Sequence, residues 1–386
     1  MINIIILGLV SCFIDIGTEM VYPIIPLYLT GVLGVSTSIY GIIEGVAESV
    51  ASLVRIFSGH ISDKYKRSKP FAFLGYGSSI VYKIILVLST SWFGVTIARV
   101  LDRFGKGMRT APRDSLIAKS ANPKKLGKAF GLHKMLDMVG SSIGILIAFL
   151  IMRSGMGNDT FKVIFVISIM PAVIGVFLIS FIKEEKVPKQ EQKEIIKFKF
   201  SKLDKKLKRF LIITFLFTLG NSSNTFLLLK AQNIGFDAVS VILLYFIYTF
   251  FGAIFAFPLG KLSDKVGRRK LLALGYFLFG IVYLGLGATT SKTALVILFI
   301  IYGIYTALTV GIERAFISEI THKDLRGTVL GLHSALVGIA LLPASIIAGF
   351  LWDFISPSAP FYFGGTLGII AAISIYILMS RKSTQN

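Results

Sequence analysis

The amino-acid sequence predicts an all-α membrane protein, with twelve transmembrane helices in two six-helix bundles. Apolar residues make up 54% of the 386 residues and charged residues only 16%, and the mean hydropathy is +0.77. Soluble proteins have roughly a quarter of their residues charged. The single cysteine, Cys12, excludes an intrachain disulfide, and the sequence offers no Cys/His cluster for zinc. We therefore expect neither a metal site nor a cofactor.

The apolar residues fall in blocks of about 20, the length that an α-helix needs to cross a bilayer. The first block begins at the N-terminus without a basic segment or a cleavage site, so we interpret it as a retained helix rather than a signal peptide. The twelve predicted helices are 3–30, 37–59, 70–89, 92–116, 129–152, 161–182, 209–229, 238–259, 271–288, 293–317, 328–351 and 358–380.

The positive charges predict the orientation of these helices. Loops on one side of the predicted membrane carry 28 of the 41 Lys and Arg residues, and loops on the other side carry four. Loops rich in Lys and Arg stay in the cytoplasm, so both termini are predicted to be cytoplasmic. Membrane insertion and contact with anionic lipid are sufficient to explain the net charge of +21. We therefore do not expect nucleic-acid binding.

The two halves of the chain form an internal repeat. A Gly-x-x-x-Asp-x-x-x-Arg spacing follows the second predicted helix and returns 201 residues later, after the eighth. Six helices per half make the two repeats parallel, an arrangement found in rocker-type secondary transporters. We predict bundles at 1–182 and 209–386, joined by a cytoplasmic linker at 183–208. The repeated residues are Gly59, Asp63 and Arg67 in the first half, and Gly260, Asp264 and Arg268 in the second.

These repeated loops resemble the signature loop of the major facilitator superfamily, and the resemblance extends over essentially the whole chain. It implies a monomeric carrier, not an enzyme, that moves a small molecule across the cytoplasmic membrane of a prokaryote by alternating access. It also implies that the loop carboxylates form a cytoplasmic gate with the ends of neighbouring helices. The predicted gate comprises Gly59, Asp63, Arg67, Arg113, Gly260, Asp264, Arg268, Glu313 and Arg314.

Other features resemble the twelve-helix drug:proton antiporters of that superfamily. Gly17 followed by Pro23 and Pro26 is similar to their first-helix pattern, and Arg99 lies where the superfamily often has an Arg linked to proton coupling. The antiporters also have Gly-x-x-x-Gly-Pro in the fifth helix. Here Gly140 and Gly144 are present, but Ile145 follows instead of the kink-forming proline.

Eleven charged residues lie well inside the predicted spans of the first half. A charge at the bilayer centre costs about 2.5–3.5 kcal/mol on insertion scales, so we expect these side chains to face each other or a wet cavity. On the fourth helix Asp102, Lys106, Arg109 and Arg113 form one stripe. The second half offers neutral amides instead. The predicted proton-coupling residues are Asp15, Glu19, Arg99 and Asp102, and the predicted cavity residues are Glu44, Glu48, Arg103, Lys106, Arg109, Asp137, Asn221 and Asn224.

The favoured function is proton-coupled export of a drug-like or amphipathic compound, with protons, the substrate and the lipid bilayer as partners. Proton-coupled uptake of a nutrient or metabolite is the alternative within the same class. A transport-inactive membrane receptor is the alternative from another class. ATP-driven transport is not expected because no Gly-x-x-x-x-Gly-Lys-[Ser/Thr] loop occurs, and the sequence has no His-Glu-x-x-His motif for a metalloenzyme.

Overall fold

The computed structural model describes residues 2–25, 28–35, 37–65, 67–153, 159–182, 184 and 203–378. These residues contain thirteen α-helices, two short 3-10 turns at Pro123–Lys125 and Lys323–Leu325, and a π-helical turn at Tyr28–Val32. The helices are α1 (Ile2–Val21), α2 (Thr37–Lys64), α3 (Lys69–Leu88), α4 (Trp92–Ser120), α5 (Leu126–Arg153), α6 (Asp159–Ile179), α7 (Lys205–Gly220), α8 (Thr225–Asn233), α9 (Ala238–Val266), α10 (Arg268–Ala288), α11 (Lys292–Ile320), α12 (Arg326–Phe354) and α13 (Ala359–Leu378).

The internal repeat is visible in how the helices begin and end. α4 and α11 are both 29 residues long and start 200 residues apart. The side chains of Ser91 and Ser291 accept hydrogen bonds from the backbone of Gly94 and Ala294, and so cap these two helices. Each helix is followed by a 3-10 turn that leads directly into the next long helix. The repeat therefore preserves local capping as well as helix order.

The chain divides into two compact units. The first unit consists of Met1–Ala121, Leu136–Ile196 and His322–Ala335. In it α4 packs along α2 and α3, and α1 packs along α6. One part of its apolar core surrounds Tyr28, whose ring meets the edge of Phe165 at 5.4 Å.

The second unit consists of Asn122–Met135, Lys197–Thr321 and Leu336–Asn386. Here α10 packs along α11 and α13, α9 packs along α11, and α7 packs along α13. The helix backbones approach closely at glycines: a Cβ added to Gly220 would lie 3.1 Å from the Cα of Gly364. Small residues of this kind allow helices to associate in a membrane, where apolar side chains alone give little driving force.

Two predicted helices differ from the structure. The first does not continue to residue 30: α1 ends at Val21, because Pro23 lacks a backbone donor and constrains the preceding residue. The predicted seventh helix is two helices, since α7 ends at Gly220 and α8 starts at Thr225. The sequence between them is Asn-Ser-Ser-Asn, whose side chains compete with the helical backbone for hydrogen bonds.

Several helices also extend further than their apolar blocks. α2 ends at Lys64 and α9 at Val266, so Asp63 and Asp264 lie in last helical turns rather than in loops. Hydropathy marks only the part of a helix that is suited to lipid, whereas the backbone hydrogen bonds continue into the polar residues beyond it.

Nine helices within the described residues are long and apolar enough to cross a membrane. The others are α7 and α8, with 16 and nine residues, and the charged helices α2 and α4. α4 carries eight charged residues, and most of them are buried in the first unit. The two most highly charged helices, α2 and α4, are therefore not among the helices whose composition suits contact with lipid.

Candidate functional site

Buried ion pairs on α4 form the centre of the candidate site. Arg99 donates from Nη1 to Oδ2 of Asp102 at 3.1 Å, and Nη1 of Arg103 lies 4.0 Å from the same oxygen. Asp102 is 1% exposed, so its charge is compensated within the protein rather than by water. Both guanidinium groups also lie over the ring of Tyr22, at 4.9 and 5.6 Å from its centroid.

Glu48 of α2 is joined to this group through Arg103. Oε1 of Glu48 is 2.9 Å from Nε of Arg103, and its other oxygen is 3.9 Å from Arg55, whose guanidinium donates to the carbonyl of Ser334. The Glu48 side chain is 32% exposed, whereas Arg103 is 5% exposed. Lys106, one turn further along α4, is exposed. Arg99 and Arg103 are therefore buried, while Glu48 and Lys106 remain accessible.

Two carboxyl groups meet between α1 and α5. Asp15 on α1 and Asp137 on α5 are electrostatic neighbours. Ser11 donates its hydroxyl to Oδ1 of Asp137 at 3.0 Å. Asp15, Asp137 and Glu19, which lies one turn beyond Asp15, are all half-buried. The arrangement therefore brings acids of α1 and α5 together at a partly accessible place.

Glycines bring α1 and α5 close enough for this contact. A Cβ on Gly140 would overlap the carbonyl of Cys12, and a Cβ on Gly144 would overlap the carbonyl of Ile16. The two glycines are four residues apart and lie on one face of α5. The close approach of these helices therefore needs the glycines and occurs without the proline that follows them in the antiporters.

The lower part of the predicted α4 stripe has partners other than the membrane acids. Arg109 lies over the ring of Tyr76, 5.1 Å from its centroid, and donates to the carbonyl of Gly75. Arg113 pairs with its neighbour Asp114, at 2.9 Å, and donates to Ser11 at 3.5 Å. Sequence periodicity cannot find a pair between adjacent residues, because side chains at i and i+1 do not share a helix face.

Lys83 is a fully buried cation on α3. Its ammonium donates to the hydroxyl of Ser79 at 2.9 Å, and its Cε would lie 3.0 Å from a Cβ on Gly17. Within the described part of the chain no carboxylate lies within ion-pair distance of this ammonium. The side chain of Glu44, a predicted cavity residue, lies outside the described side chains.

Asp63 caps the start of α12 inside the first unit. Its carboxylate accepts hydrogen bonds from the backbone N–H of Gly327 at 3.2 Å, and from the N–H and hydroxyl of Thr328 at 2.5 and 2.8 Å. A Cβ on Gly59 would lie 2.5 Å from the carbonyl of Gly327, so this glycine permits close contact. We call the contact of Asp63 with Gly327 and Thr328 the first clasp.

Asp264 caps α5 in the same way inside the second unit. Its two oxygens accept from the N–H groups of Gly127 and Lys128, both at 2.8 Å. We call this contact the second clasp. Arg268 donates to Asp264 at 2.7 Å and pairs with Glu319, also at 2.7 Å. Gly260, the counterpart of Gly59, packs against the backbone of Gly127.

The other predicted gate residues lie elsewhere. Arg67 is exposed, and its side chain has no partner among the described residues. Glu313 accepts a hydrogen bond from the hydroxyl of Tyr276 on α10 at 2.8 Å. Arg314, beside it, is half-buried.

The break between α7 and α8 carries a neutral polar cluster. Asn224 accepts from Tyr302 at 2.9 Å and donates to Tyr248 at 3.2 Å, while Asn221 donates to Tyr305 at 3.1 Å. The three tyrosines are buried, and the two amides are half-buried. Non-helical backbone at membrane depth is tolerated where protein surrounds it or where it lines a wet cavity. The tyrosines were missed by sequence reasoning because nothing in their spacing separates them from other core aromatics.

Internal repeats, buried ion pairs and a broken helix are features of membrane transporters. The family model of the Major Facilitator Superfamily matches residues 7–227 and, again, residues 210–386. The chain belongs to the Major Facilitator Superfamily. It is a multi-pass protein of the cell membrane and a transporter rather than an enzyme.

Similar proteins cover nearly the whole chain. The uncharacterized MFS-type transporter MJ1317 of Methanocaldococcus jannaschii is 38% identical over 382 residues, which are 97% of this chain and 94% of the relative. The multidrug resistance protein MdtH of Proteus mirabilis is 22% identical over 392 residues, again 97% of this chain and 94% of the relative. The crystal structure of the human organic anion transporter MFSD10 superimposes with a TM-score of 0.78 at 14% identity, over 96% of this chain and 98% of that one.

Proposed function

We propose that the protein is a proton-coupled exporter of a drug-like or amphipathic compound, which works as a monomer by alternating access. In this proposal the chain has twelve spans and both termini are cytoplasmic. The two clasps form its cytoplasmic gate and open once in each transport cycle. The observation that carries the proposal is the carboxyl pair of Asp15 and Asp137.

Two neighbouring carboxylates repel each other, so such a pair favours binding one proton. The pair is half-buried, so a proton can reach it, and Ser11 stabilises one of its oxygens. In the proposed cycle Asp15 and Asp137 share the coupling proton and separate when it leaves. Glu19 is the next acid on the same face of α1 and would pass the proton on.

Arg99 and Asp102 have a different role in this proposal. Asp102 lies between Arg99 and Arg103, so it is held as a carboxylate and is not the proton carrier. Arg99 would compete with the proton only in a conformation in which it leaves Asp102 and approaches the acids of α1. Half-buried Glu48 and exposed Lys106 are the charged groups best placed to meet a substrate.

Export is favoured over uptake by the similarity to MdtH, which is named for multidrug resistance and matches this chain over nearly its whole length. A thermal-shift screen of the purified protein against drugs, sugars and amino acids would identify the substrate class. A hit among sugars or amino acids alone would favour uptake, and stabilisation by a compound that is never transported would favour a receptor.

The proton role is tested in sealed proteoliposomes with the ligand found in that screen. Asp15→Asn and Asp137→Asn should each reduce flux driven by a pH gradient at least tenfold while substrate binding remains. The matched control is Asp324→Asn, an exposed carboxylate in the turn before α12. If both variants transport normally with intact pH dependence, the coupling proton binds elsewhere.

The topology has its own test. Reporters fused after Lys382 or inserted within 186–205 should read as cytoplasmic, and a reporter near residue 156 should read as external. An external signal from the C-terminus would contradict the twelve-span arrangement.

A further inference from the structure

The two clasps are held in different ways. At the second clasp Arg268 joins Asp264 to Glu319 and also donates to the carbonyl of Pro123 at 3.2 Å. At the first clasp the repeat-related residues are Arg67 and Lys119, two cations where the second clasp has a cation and an anion. They cannot form the same bridge. Among the described residues, the first clasp therefore has no counterpart of the Arg268–Glu319 ion pair that holds the second.

Glu184 lies just beyond α6 and binds the start of α3 in the first unit. Its two carboxylate oxygens accept from the backbone N–H groups of Ser68 at 2.6 Å and of Lys69 at 3.0 Å. The Lys69 side chain also bonds to the residues after α6: its ammonium donates to the carbonyls of Ser180 at 2.9 Å and Ile182 at 2.7 Å. Four hydrogen bonds thus join residues that follow α6 to the start of α3.

Glu184 supplies the capping acceptor that the start of α3 lacks. Ser68 is the N-cap residue, but its side chain makes no capping hydrogen bond. The first N–H groups of a helix have no partner within the helix, and a carboxylate there is favoured both by hydrogen bonding and by the helix dipole. Bonds to an ionised acceptor are shorter and stronger than neutral ones.

The hydroxyl of Ser68 continues this contact to the first clasp. It lies 2.8 Å from the hydroxyl of Ser62 and 3.4 Å from the ammonium of Lys119, and Ser68 is fully buried. Ser62 directly precedes Asp63, the carboxylate of the first clasp. The connection therefore runs through named contacts from Glu184 to Ser68, to Ser62 and to Asp63.

We propose that Glu184 is a positioning residue for the first clasp and takes the place of the Arg268–Glu319 bridge of the second. Glu184 closely follows the residues after α6 that bind Lys69, so a displacement of those residues acts on the first clasp. Any effect of this control on transport rests on the proposed function, in which both clasps open in each cycle.

Hydrogen exchange of the purified full-length protein tests this directly, because the clasps are made of backbone amides. Glu184→Ala should speed exchange at 327–328 about tenfold and leave 127–128 unchanged, since local opening frees those N–H groups. Glu184→Gln keeps one acceptor oxygen and should give an intermediate effect. The matched variant Glu319→Gln should do the reverse, with faster exchange at 127–128 only.

Lys69→Met offers a second route to the same result, because it removes the reciprocal bonds and leaves Glu184 in place. This variant too should speed hydrogen exchange at 327–328 and leave exchange at 127–128 unchanged. Unchanged exchange at 327–328 in Glu184→Ala, or equal loosening of both clasps, would overturn the proposal. Selective loosening with normal flux would support the positioning role of Glu184 and contradict the gate that the proposed function assigns to the clasps.

Discussion

Replacing Gly144 with alanine tests whether the spacing of α1 and α5 depends on glycine. The added Cβ would overlap the carbonyl oxygen of Ile16 and would lie 3.1 Å from the Ile16 Cα. These are backbone atoms, so no side-chain rotation can relieve the contact. Since ordinary carbon contacts are about 3.5–4 Å, the two helices must separate by about 1 Å.

The size of the effect follows from two opposing contributions. Overpacking a close contact costs about 1–3 kcal/mol, and a clash with backbone belongs at the upper end of that range. Alanine regains about 1 kcal/mol because it favours a helix more than glycine does. The net loss is about 2 kcal/mol, a factor of roughly 30 in the ratio of folded to unfolded protein.

Gly77→Ala is the matched control. Gly77 is also within a helix, α3, but an added Cβ would have nothing within 4 Å. This variant gains helix propensity without a clash and should be stabilised by about 1 kcal/mol. Denaturation of both variants in the same detergent should therefore move the midpoint in opposite directions. A Gly144→Ala protein as stable as Gly77→Ala would refute the reasoning.

Three further outcomes are expected. Asp63→Asn removes the charge and part of the hydrogen bonding of the first clasp, so turnover should fall about tenfold with near-normal expression; unchanged flux would contradict a gating role. Asn224→Ala leaves two tyrosine hydroxyls without their amide partner, and a binding assay should show weaker substrate affinity with unaltered pH dependence. Ser91→Ala removes the α4 cap and should cost about 1 kcal/mol in a denaturation assay. Thr90→Ala is its control, because the neighbouring Thr90 is exposed and does not cap the helix; an equal loss in both variants would count against the cap.

The fold was predictable because it depends on composition and periodicity. Apolar blocks revealed the helical membrane protein, the repeated loops pointed to the superfamily, and the family match confirms both. The break after Gly220 was not predicted, because hydropathy averages over the four polar residues that interrupt the helix. The twelve spans and the cytoplasmic termini stay predictions.

The candidate site was predictable in part. Buried charge in a membrane helix must find partners, and this argument identified Asp102 and Arg103 without any structure. It could not identify which partners they take: Arg99 bonds to Asp102 on its own helix, while Arg103 reaches Glu48 on α2. Those choices depend on helix rotation, which the packing of the whole unit determines.

The composition of the two units has a consequence for the order in which the chain can mature during synthesis. The first unit includes His322–Ala335, so a ribosome must translate most of the chain before that unit has all its parts. Until then Asp63 has no backbone N–H of Gly327 to bind, and Arg55 has no carbonyl of Ser334. The N-terminal half on its own would therefore lack these contacts, and the first unit can be completed only after residue 335 has been synthesised.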